Sequence, residues 1–127
     1  MKRFLTTALL VSLAATGCAS TGSSSESGRN PDVIASEELR GTQIESENAY
    51  NAVQRLRPTW LRARGSSFSG GRELPVVFVD GTRFGEIDAL RSLNVSDIVQ
   101  MEYVDSRDAT TRFGTGYPAG AIMVTTG

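Results

Sequence analysis

Histidine is missing from the 127 residues, and cysteine occurs once, at Cys18. The first absence removes the usual general base at neutral pH and, with one thiol only, the usual zinc ligands. It also excludes a Ser-His nucleophile at Ser66, Ser67 or Ser69. No disulfide can close within the chain, so stability has to come from a packed core. Lysine occurs only at Lys2, and every later basic residue is arginine, which the codon preference of a GC-rich genome accounts for. A membrane-spanning helix needs roughly 20 apolar residues. The apolar run from Phe4 to Ala15 has 12 positions and includes Thr6, Thr7 and Ser12. It is too short to span.

What is present begins with order at the N-terminus: Lys2-Arg3, the apolar run, then Ala15-Thr16-Gly17-Cys18. Charged start, apolar middle and small-residue end make an export signal. Ending on cysteine, it resembles the lipobox of bacterial lipoproteins. A plain secretory signal that contains a cysteine is the alternative. The resemblance implies cleavage before Cys18 and acylation of its thiol, with palmitate among the chains. An unpaired exported thiol is otherwise reactive, and two or more acyl chains hold a protein where one is marginal. Ala19, rather than Asp, implies sorting to the outer membrane. Residues 19–31 offer almost nothing to bury and read as a Gly/Ser tether. The expected organisation is a lipoprotein signal peptide over 1–17, lipidated Cys18 and its tether over 18–31, and one domain over 32–127.

Without residues 1–17 the chain keeps 11 basic and 14 acidic residues. A mildly acidic domain is poorly suited to nucleic acid, which is bound by displacing counterions with positive charge. In the domain, Val33-Ile34 reads as a strand end leading into a helical turn that Ser36 caps and Gly41 ends. Ala49, Ala52, Val53 and Leu56 form one helix face, stopped by Pro58. Residues 62–72 read as a loop. Pro75 to Val79 is β-rich and runs into Asp80-Gly81, a pair that predicts a tight hairpin because both positions tolerate positive φ. Ile87, Leu90 and Leu93 suggest a short helix, and Ser96-Asp97 caps another turn. Val99, Met101 and Tyr103 alternate with Gln100, Glu102 and Val104, as in a strand with one buried face. Residues 105–112 read as a turn or short helix, and 121–126 as a final strand. These elements predict an α+β fold, a small mixed β-sheet with short helices.

Taken in order, the segments resemble the plug domain of TonB-dependent outer-membrane receptors. Val33-Ile34-Ala35-Ser36-Glu37-Glu38-Leu39 is similar to its "V-I-T-x-E-E-I" opening, and Asn48 to Pro58 to its next helix. Val76-Val77-Phe78-Val79-Asp80-Gly81 is similar to "V-Y-I-D-G-V", and Ile98 to Val104 to "I-E-R-I-E-V-L". Arg112 to Gly116 stands for "x-Y-G-S-x", and Ala119 to Thr126 for "G-G-V-I-N-I-x-T". The resemblance covers residues 33–127 and implies a plug-like fold, at the outer membrane and facing the periplasm in a diderm cell, or at the cell envelope otherwise. It departs from the receptors in three ways. Gly127 stands where their roughly 22-stranded barrel begins, residues 19–31 hold no TonB-contact segment, and 60–72 does not match the usual "P-G-V" run. Transport is therefore not implied.

Three constellations invite a chemical reading. Phe113 to Ala119 has the glycine spacing of a dinucleotide turn, but Pro118 and a strand follow where a helix is needed. Turn glycines fit better. Asp105 and Asp108 fall short of a calcium site and fit an ion-pair cluster with Arg107 and Arg112. Arg55, Arg57, Arg62, Arg64 and Arg72 form a positive stretch around Trp60, with interface-anchor chemistry. A solvated helix end around a core tryptophan is the other reading. The expected interaction surface is Arg57, Trp60, Arg62, Arg64, Arg83, Phe84 and Tyr117. No catalysis and no cofactor are expected. The expected function is a non-catalytic envelope lipoprotein making protein or envelope contacts; the alternative is a periplasmic binding protein for a siderophore, glycan or corrinoid.

Overall fold

The computed structural model describes residues 30–41, 43–64 and 73–127. The leader, Cys18, residues 19–29, Ser66, Ser67, Ser69 and Arg72 lie outside the described residues. Among the described residues five strands form one mixed sheet: β1 (Val33–Ala35), β2 (Val76–Val79), β3 (Thr82–Glu86), β4 (Ile98–Val104) and β5 (Ala121–Thr126). Their spatial order is β1-β4-β5-β2-β3. β2 and β5 run parallel, and the other neighbours antiparallel. Among the described residues there are three helices, α1 (Ser36–Gly41), α2 (Ala49–Leu56) and α3 (Ser106–Phe113), with 3-10 turns at 58–61, 87–92 and 95–97. The small mixed sheet with short helices is the α+β fold expected.

Local chemistry accounts for most boundaries. Asn48 caps α2, its side-chain oxygen accepting from the Asn51 N–H at 3.0 Å. Ala49, Ala52 and Val53 are buried, as their spacing requires. Ser36 is the first residue of α1 and not the residue before it. Ser96 lies inside the 95–97 turn, where Asn94 holds the cap position without a side-chain bond. Asp80 and Gly81 both take positive φ, +48° and +81°, so the β2–β3 hairpin turns as the Asp-Gly pair predicts.

The sheet buries both faces. On one, Ile34, Met101, Tyr103, Ile122, Val124 and Val77 pack against Leu39, Val53, Trp60 and Leu90. On the other, Phe78, Val104 and Ala121 pack under Ala109 of α3, with Phe113 and Tyr117 half-buried beside them. This second face overturns the simple alternation expected of β4. A register shift between Ile98 and Gln100 gives Ile98 the inward place and leaves Val99 44% exposed. Val104 points away from Tyr103 as expected, yet is buried because α3 covers its side.

Candidate functional site

The residues expected to form one interaction surface divide between the two edges of the sheet. Arg57 ends α2, and Pro58 starts the 3-10 turn that carries Trp60 back under the sheet. The Arg57 guanidinium makes a bidentate pair with Glu38 at 2.9 and 3.1 Å. It also donates to the carbonyls of Pro31, Val33, Asn30 and Leu56 at 2.9–3.3 Å. That uses every N–H an arginine has. Trp60 is 1% exposed, with its indole N–H on the Pro31 carbonyl at 3.2 Å and its ring stacked 6.0 Å from Tyr103.

Neither residue is available to a partner, which corrects the expectation for Arg57 and Trp60. The physical reason is that the chain entering the domain needs its carbonyls satisfied. Asn30 and Pro31, which by composition belong to the tether, are thereby bound into the fold. Arg62 and Arg64 do remain exposed. Arg64 stacks over the Tyr103 ring at 4.8 Å and lines an open groove of about 400 Å³ with Asn30, Asp32, Glu102, Asp105 and Asp108. The positive stretch is dispersed rather than pooled: Arg55 pairs with Glu47 at 3.1 Å, and Arg57 with Glu38.

At the other edge, Arg83 and Phe84 lie on β3, four strand spacings from β1, or about 19 Å. Arg83 lines a second groove, of about 310 Å³, with Glu73, Leu74, Val76, Glu86 and Gly116. Tyr117 follows Gly116, its ring half-buried 5.7 Å from Phe78 and 6.0 Å from Phe113. Arg83 and the 116–117 turn are thus brought together, while Arg62 and Arg64 stay apart from them. Leu74 and Glu86 were not expected at this groove. A three-residue spacing normally puts Arg83 and Glu86 on opposite faces of a strand, so periodicity hides the second of them.

Of the two carboxylates read as chemical candidates, Asp105 has structural work instead. Asp105 caps α3, accepting from the Arg107 and Asp108 N–H groups at 2.8 and 2.9 Å. Arg112 pairs with Glu102 at 3.6 Å rather than with Asp108, so the ion-pair cluster expected there is replaced by a helix cap. Among the described residues, no group of three or more Asp, Glu, His or Cys is placed to hold a metal ion. Gly114 ends α3 at φ +91°, and Gly116 and Gly120 also take positive φ, which suits turn glycines.

Asp80 has a role that local sequence does not signal. Its carboxylate accepts from the Thr126 N–H at 2.9 Å and the Thr126 hydroxyl at 2.6 Å, tying the hairpin to the end of β5. These bonds hold its pKa below the usual 3.8. A folded-state pKa lower than the unfolded one gives stability that is present above about pH 3.8 and lost as pH falls through the folded value. Asp80→Asn is therefore expected to flatten the acid limb: the melting temperature of the variant falls less between about pH 6 and pH 3 than that of the parent. Equal falls in both would refute this.

No family model and no curated protein matches the chain. Among solved structures, the domain is similar to the siderophore receptor PirA from Pseudomonas aeruginosa, at 16% identity and a TM-score of 0.48. The match covers 79% of this chain and 19% of the receptor chain, so less than a fifth of the receptor is represented. A likeness of this depth says nothing about activity or ligand. Among the described residues, no helix is long and apolar enough to cross a membrane.

Proposed function

We propose that the chain is a non-catalytic lipoprotein of the outer membrane, anchored through Cys18, whose plug-like domain faces the periplasm and makes contacts with envelope proteins. One observation carries the non-catalytic reading. Four side chains with chemical potential are engaged in holding backbone: Arg57 on the entering chain, Asp80 on β5, Asp105 on α3, and the Tyr103 hydroxyl on the Ala119 carbonyl at 2.8 Å. Ala15-Thr16-Gly17-Cys18 supports the anchor. Cells fed labelled palmitate are expected to label the protein, and Cys18→Ser to abolish both the label and membrane retention. An unmodified N-terminus on freely diffusing protein would overturn the anchor. Crosslinking in native membranes that recovers no envelope protein above background would overturn the contact role.

The groove at Arg83 favours a second reading, a binding protein for a siderophore, glycan or corrinoid. Its volume of about 310 Å³ reaches the lower end of ligand-site sizes, and Arg83 lines it together with Glu73 and Glu86. A thermal-shift screen with these three ligand classes separates the readings. A shift lost in Arg83→Ala supports the binding protein.

A further inference from the structure

We infer that the free edge of β3 pairs antiparallel with the β3 edge of a second copy of this chain, about a two-fold axis at Gly85. The two edges of the sheet are treated differently. β1 is three residues long, and Arg57 takes the Val33 and Pro31 carbonyls beside it. Among the described residues β3 borders β2 alone, and Thr82, Arg83, Phe84 and Glu86 are exposed. An open edge of this kind is a ready template for another strand.

The bulge decides which strand fits. Arg83 stands opposite Phe78, Gly85 opposite Val77 and Glu86 opposite Val76, so Phe84 is the extra residue. That insertion places Arg83 and Glu86 on one face of the sheet, two rows apart, with Gly85 in the row between. In an antiparallel pairing centred on Gly85, Arg83 faces the partner's Glu86, and Glu86 faces the partner's Arg83. The edge is complementary to itself, as a two-fold contact requires. Neither residue makes an ion pair within the chain among the described residues. Phe84, 49% exposed at the bulge, lies close to the proposed axis, where its counterpart would cover it. A strand of arbitrary sequence would leave both charges unmatched, which favours a second copy over other partners.

The contact is short, so the dimer is expected to dissociate on dilution. The proposal does not depend on acylation of Cys18. The test is sedimentation velocity of the full chain in density-matched detergent over a concentration series. Arg83→Glu and Glu86→Arg should each weaken the dimer about tenfold, since each turns two attractive cross-strand pairs into repulsive ones. The double variant should restore it to within about threefold. Unchanged melting temperatures in the single variants would show that the loss is one of association. A chain that stays monomeric throughout, a dimer indifferent to single reversal, or a double variant that fails to recover would each overturn the pairing.

Discussion

Gly120→Ala is expected to destabilise the domain by about 2–5 kcal/mol. Gly120 takes φ +81°, and a Cβ added to it would fall 2.3 Å from the Val104 carbonyl oxygen and 2.9 Å from the Tyr103 hydroxyl. Backbone cannot yield as a flexible side chain does, and Val104 and Ala121 are held opposite each other in the ladder. A left-handed alanine costs about 1–2 kcal/mol, and forcing an extra carbon into a packed site about 1–3 kcal/mol more. A domain of this length has about 5–14 kcal/mol in all. Chemical denaturation should therefore show a midpoint lowered by about a third at the middle of these ranges. Gly41→Ala is the control, since a Cβ there would meet nothing within 4 Å and the residue's φ is not positive. Equal stability of the Gly120 variant and the parent would refute the geometry.

Trp60→Ala should cost about 3–5 kcal/mol, the usual range for deleting a buried aromatic side chain. On a domain of this size, each kcal/mol lowers the melting temperature by about 4–8 °C. Trp60→Phe should cost less, because it keeps most of the apolar area and forfeits chiefly the bond to the Pro31 carbonyl. The pair distinguishes a core residue from a contact residue. A tryptophan that served a partner would leave the melting temperature unchanged on truncation and lose only binding.

Trp60 also marks where local reading of a sequence stops working. Asp80-Gly81 is legible because a tight turn is decided by the two residues in it, and α2 because its apolar face recurs within eight positions. Alternation misplaces Val99, because the register shift after Ile98 is a property of the ladder with β5 and one strand alone cannot show it. It leaves Val104 on the solvent side, because only the third dimension brings α3 over that face. Trp60 and Arg57 carry the composition of an interface, yet both are consumed by carbonyls at residues 30–33, more than 20 positions earlier. Glu86 escapes notice because one inserted residue, Phe84, changes the face on which it sits. Local rules specify the elements; the candidate surface depends on contacts between distant segments.

The last of the five strands holds the middle of the sheet. Without Ala121–Thr126, β1 has only β4 and β2 has only β3, and two-stranded ribbons are marginal in water. A growing polypeptide therefore carries two incomplete ribbons until β5 slides between them, and cooperative closure waits on that event. Under the proposed function, in which the chain is exported, this sequence of events keeps the domain pliable until its fifth strand has passed.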